Sequence, residues 1–102
     1  MAVARLTLEL TIEHAASLKD RRQVVRSVKE RLRAGFNVSV SEMDDGALWN
    51  RATLGVAAIS NSRDYLTGQM AEVERAARAA CVGVGAEIAD IWWEYLEAED
   101  AG

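Results

Sequence analysis

From Val3 to Glu13 the chain alternates, with Ala4, Leu6, Leu8, Leu10 and Ile12 on one side and Arg5, Thr7, Glu9, Thr11 and Glu13 on the other. A period of two predicts a strand with one buried face. Ser17 then stands three residues before Asp20, an arrangement in which the hydroxyl accepts an orphan backbone N–H and the carboxylate sits at the positive end of a helix dipole. At 100° per residue Leu18, Val24, Val25, Val28 and Leu32 share one stripe, and Gly35 offers a left-handed stop, so a helix is predicted over 17–34.

Phe36, Val38 and Val40 alternate with Asn37, Ser39 and Ser41 as a second strand, and Asp44-Asp45-Gly46 marks the turn after it. Between Arg51 and Ser60 small and β-branched residues stand on both sides, the pattern of a central strand. Asn61 and Ser62 precede a run in which Leu66, Met70, Val73, Ala77 and Cys81 recur at helical spacing, closed by Gly83 and Gly85, which predicts a helix over 62–82. Ala86 to Leu96, with Ile88, Ile91, Trp92, Trp93 and Tyr95, suits a last strand, and Glu97-Ala98-Glu99-Asp100 reads as an acidic tail. The order β-α-β-β-α-β predicts an α+β, ferredoxin-like sandwich: a four-stranded antiparallel sheet with two helices on one face. Right-handed crossovers place strands one and three in the middle and strands two and four at the edges.

Length and composition bound the rest. A chain of 102 residues, half of them hydrophobic, fits one ordered domain over 1–96 with a tail over 97–102. No stretch reaches the length of a membrane span, and the N-terminal residues run directly into a strand pattern without the layout of an export signal. The lone Cys81 and the lone His14 supply neither a disulfide nor a structural zinc site. The expectation is a cytoplasmic protein with no cofactor and no metal.

The net charge of −4 hides a division. Residues 17–35 hold seven basic side chains (Lys19, Arg21, Arg22, Arg26, Lys29, Arg31, Arg33) against Asp20 and Glu30, a segment of +5, and the remaining residues sum to −9. Lys19, Arg22, Arg26, Lys29 and Arg33 follow one another at three- and four-residue steps, which gathers them within about an 80° arc of the helix. Five like charges so placed repel. The ridge is either a solvated face balanced by acidic residues elsewhere in the chain or a grip for phosphates. Arg21 differs, because its angle falls inside the apolar stripe, where its head must snorkel or find a carboxylate. A structural ion pair is the expected role.

Asp44, Asp45, Trp49 and Arg51 form a second cluster, in which the two carboxylates suit turn chemistry better than a cation site or an acid–base pair. Trp49 either plugs the sheet edge or, beside Arg51, anchors a partner. Trp92, Trp93 and Tyr95 alternate across the last strand, so at least one large aromatic leaves the helix-covered face. Burying such a ring between subunits makes a homo-oligomer, most simply a dimer, the natural partner, with Trp49, Arg51, Trp92, Trp93 and Tyr95 as candidate interface residues. The two central strands carry Thr7, Glu9, Gly55 and Ala57 where a base-stacking RNA-recognition sheet carries aromatics. No phosphate-binding glycine loop or nucleophile–base pair appears, and no catalytic residue is predicted.

Ser17-Leu18-Lys19-Asp20-Arg21-Arg22, Phe36-Asn37-Val38-Ser39-Val40-Ser41-Glu42 and Leu48-Trp49-Asn50-Arg51-Ala52-Thr53-Leu54-Gly55-Val56 resemble the corresponding stretches of the YlxP-like family of small bacterial proteins, in the same order and at matching separations. The resemblance runs from Val3 to Ser62. It implies a ferredoxin-like fold and a family often encoded near translation-initiation and ribosome-maturation genes. The expectation is a non-enzymatic protein that meets RNA or a ribosomal particle through Lys19, Arg22, Arg26, Lys29 and Arg33. The alternative is a homo-oligomeric interaction module.

Overall fold

A computed structural model describes residues 1–96; the acidic tail predicted over 97–102 lies outside the described residues. The elements run β1 (Ala2–Thr11), α1 (Leu18–Gly35), β2 (Ser39–Glu42), β3 (Arg51–Ser60), α2 (Arg63–Gly83) and β4 (Glu87–Tyr95). The sheet order is β2-β3-β1-β4 with every neighbouring pair antiparallel. This is the ferredoxin-like sandwich that the order of elements predicts.

Alternation in β1 does the sorting. Ala4, Leu6, Leu8 and Leu10 are buried against the helices, as are Ala52, Leu54, Val56 and Ala58 opposite them on β3. Val24, Val25, Val28 and Leu32 of α1 and Leu66, Met70, Val73, Ala77 and Cys81 of α2 close this core. Both helices begin as the sequence predicts, with Ser17 Oγ accepting from the Asp20 N–H and Ser62 Oγ from the Tyr65 N–H, each at 3.1 Å.

Three details depart from the sequence reading. Gly35 is the last residue of α1 without a positive φ, and the cap is extended Phe36, whose N–H bonds to the Leu32 carbonyl. That bond keeps Phe36 out of the sheet, so β2 starts at Ser39 and is only four residues long. Leu18, placed in the apolar stripe by its angle, is exposed, because the core begins one turn further in. At the far end of α2 the left-handed residue is Gly85, at φ 74°.

One sheet face lacks a helical cover. Across its middle the register aligns Ser41, Gly55, Thr7 and Trp92. Gly55 and Thr7 are nevertheless buried. At Gly55 the reason is local: an added Cβ would lie 2.7 Å from Met43 Sδ, so the methionine lies over bare backbone. The small residues of β3 thus serve two faces, one under the helices and one under Met43.

Candidate functional site

Arg21 is the key to the region around α1. It is 5% exposed, and each part of its guanidinium has an acceptor: Nε donates to the Arg51 carbonyl at 2.9 Å, Nη1 to Glu42 at 3.0 Å and Nη2 to Asp44 at 2.9 Å. One planar group therefore fastens α1 to the end of β2, the following turn and the start of β3. Asp44 also accepts from the Gly46 N–H at 2.8 Å and from the Thr53 N–H, and Asp45 accepts from the Ala47 N–H at 3.0 Å. Gly46 takes φ 72°. These carboxylates do turn chemistry, and among the described residues no cluster of potential metal ligands forms.

With Arg21 withdrawn into this knot, the other bases of α1 face outward. Arg22, Arg26, Lys29 and Arg33 line a cleft of about 270 Å³ between α1 and β2, together with Val25, Glu30 and Glu42. Lys19, one turn earlier, is exposed and outside the cleft. Arg33 donates to the Val40 carbonyl at 3.0 Å, which holds the short edge strand against the helix. Among the described residues no carboxylate pairs with Lys19, Arg22, Arg26 or Lys29. Elsewhere pairing is common: Arg5 with Glu94, Arg75 with Glu72, Arg78 with Glu74.

The other predicted residues separate. Trp92 is on the open face and 39% exposed, opposite Thr7. Trp93 and Tyr95 are on the helix side, in edge-to-face contact at 5.3 Å. The Tyr95 hydroxyl donates to the Arg63 carbonyl at 2.9 Å and meets Thr67 Oγ1, while the Arg63 guanidinium lies 3.8 Å above its ring. Those two rings serve the fold of the single chain, tying β4 to the start of α2. Trp49 stands half exposed in the loop between β2 and β3, with exposed Leu48. The Arg51 side chain is exposed at the start of β3.

Glu30 and Glu42 also line the cationic cleft, and of the two only Glu42 is hidden from the helical wheel. Glu30 is on α1 itself and is visible as an interruption of the basic run. Glu42 arrives from another element, and only the turn between β2 and β3 brings it under α1.

The family model for DUF503, described as a protein of unknown function, matches residues 3–91. The chain belongs to the DUF503 family. Uncharacterized protein YlxP from Bacillus subtilis (strain 168) is 42% identical to this DUF503 protein over 55 residues, which cover 54% of the chain and 60% of that relative's length. The likeness to YlxP-like proteins seen in the sequence is thereby established. Among solved structures, a candidate chlorite dismutase superposes with a TM-score of 0.55 at 12% identity, over 97% of this chain and 46% of that one. At that identity the likeness speaks to fold alone. The C-terminal segment of the alpha subunit of aIF2 from Pyrococcus abyssi gives a TM-score of 0.48 at 12% identity, over 93% and 51% of the two chains, too distant to carry an argument. No helix among the described residues is long and apolar enough to cross a membrane.

Proposed function

We propose that this DUF503 protein is a non-enzymatic accessory protein that holds structured RNA, free or within a ribosomal particle, by its phosphates. The observation that carries the reading is the row of cations along α1, none of them paired with a carboxylate among the described residues and four of them gathered on a cleft, in a chain that is anionic as a whole. Like charges at helical neighbours cost a few tenths of a kcal/mol per pair, and a polyanion offsets that cost. Such contacts position a protein on nucleic acid without reading its sequence. The acidic remainder of the molecule confines the contact to α1.

Filter binding against structured RNA and ribosomal particles over a range of salt tests this. Four phosphate contacts, from Arg22, Arg26, Lys29 and Arg33, correspond to a slope of log K on log salt of about −3 to −4. The triple variant Arg22→Glu, Arg26→Glu, Lys29→Glu loses binding and flattens the slope; unchanged affinity removes the proposal.

A second reading, favoured by Trp92, is a homo-oligomer. The indole, exposed Ile59 and exposed Met43 stand on the open sheet face, and a second copy laid on that face removes them from water. The two readings use opposite sides of the sheet and are compatible.

A further inference from the structure

The two edges of the sheet are finished differently. On β2, only four residues long, the N–H of the next residue, Met43, donates to the Thr53 carbonyl at 2.7 Å. Alternation along the strand then turns the Val40 carbonyl outward, and Arg33 donates to it there at 3.0 Å. That edge is closed by α1. At the other edge β4 runs nine residues without a proline or a lysine, the residues that commonly blunt an exposed edge.

Which groups β4 leaves open follows from its pairing with β1. The Leu96 N–H donates to the Val3 carbonyl at 2.8 Å, and Arg5, Thr7 and Glu9 continue that series against Glu94, Trp92 and Asp90. Hydrogen-bonded and non-hydrogen-bonded pairs alternate in an antiparallel ladder, so the N–H and C=O groups of Ile91, Trp93 and Tyr95 point away from the sheet. The Ile91 N–H is taken up locally, with Asp90 Oδ1 accepting it at 2.9 Å. Among the described residues no side chain or turn supplies an acceptor for the N–H groups of Trp93 and Tyr95.

We infer that β4 pairs antiparallel with β4 of a second copy, centred on Trp93, and joins two four-stranded sheets into one. The register follows from two observations. The ladder with β1 shifts beyond Glu9, so the regular stretch of β4 runs from Asp90 to Leu96, and Trp93 is its midpoint. About that centre Asp90 faces the partner's Leu96 and Glu94 faces the partner's Trp92. A centre at Trp92 instead sets Asp90 opposite the partner's Glu94, and a centre at Glu94 sets that carboxylate opposite its own copy; like charges directly opposite are unfavourable. The occupant follows from what β4 exposes. Trp92 and Leu96 are 39% and 38% exposed in the single chain and stand on the same face of the strand. In this register each lies diagonal to the other across the pair, within reach of a large side chain, so the strand and its copy cover each other's exposed apolar groups.

This edge pairing differs from the face-to-face association of the second reading and does not rest on RNA binding. Because α1 packs over β2 and β3, the two cationic rows stand at the outer ends of the joined sheet.

Mild oxidation of a mixture of Asp90→Cys and Leu96→Cys chains tests the pairing and its register. The two positions lie opposite each other, within disulfide reach, whereas each lies about 20 Å from its own copy. Cys81 is buried and does not compete. The mixture yields a covalent dimer, and neither variant alone does. In wild type, amide exchange at Trp93 and Tyr95 slows as protein concentration rises while light scattering shows the mass doubling, a readout that depends on no variant folding. A chain that stays monomeric at every concentration, or crosslinking as efficient in either variant alone as in the mixture, overturns the inference. Dimerisation that leaves exchange at those two amides unchanged also overturns it, and leaves face-to-face pairing standing.

Discussion

Arg21 shows how one residue can be placed by the sequence and completed only by the fold. Its position in an otherwise apolar stripe predicts a buried guanidinium in need of carboxylates, and Glu42 and Asp44 answer from an element that periodicity cannot align with it. Removing one partner of such a group strands the others, so Arg21→Ala destabilises the chain by about 2–4 kcal/mol in urea denaturation. Arg21→Lys recovers only part of this, because a single ammonium cannot reproduce the fork that reaches Glu42, Asp44 and the Arg51 carbonyl together. Cys81 offers a second test. Burial pushes its thiol from 9.0 up to about 11, so above pH 9 the unfolded chain releases a proton that the folded chain retains. Its contribution to stability is complete below pH 9 and declines as pH rises from 9 towards 11. Wild type therefore loses stability relative to Cys81→Ala across that window, as denaturation curves at stepped pH reveal, and the thiol resists alkylation in the folded protein at pH 8.

At the scale of the element, α1 carries two faces with separate duties. Val24, Val25, Val28 and Leu32 hold the helix to the sheet and Arg21 and Arg33 tie it to β2 and the turn beyond, whereas Lys19, Arg22, Arg26 and Lys29 pair with no carboxylate among the described residues. Ridge and core are thus separable by mutation. Ser17→Ala removes the cap and lowers stability by about 1 kcal/mol, read by thermal or urea unfolding. On the proposed reading, the charge reversal of Arg22, Arg26 and Lys29 changes folding less than Ser17→Ala does and abolishes RNA binding, as unfolding and filter binding on the same variant measure. The same independence explains why the ridge is legible in the sequence: five positions on one helix are related by geometry known in advance. The cleft beside it is not legible, since Glu42 belongs to β2 and its distance from Lys29 depends on the turn that Arg21 fastens.

For the whole molecule, the open sheet face and the single buried core divide the tryptophans. Trp93 packs on Tyr95 on the helix side, and Trp92, its neighbour in sequence, faces out. Trp93→Ala therefore lowers the unfolding free energy by more than Trp92→Ala does. If copies pair through the open face, light scattering over a concentration series gives a rising mass for wild type and for folded Trp93→Ala, and a monomer for Trp92→Ala; burial of each indole is worth about 1.5–3 kcal/mol. A wild type that stays monomeric throughout removes the second reading.

Local rules determined the order of the elements, the helix caps at Ser17 and Ser62, the inward row of β1 and the cationic row of α1, because each depends on residues a few positions apart. Tertiary structure decided where β2 begins, how Met43 covers Gly55, which tryptophan faces outward, and how Glu42 meets both Arg21 and the ridge. Those outcomes depend on register between strands distant in sequence, where a shift of one residue exchanges the two faces.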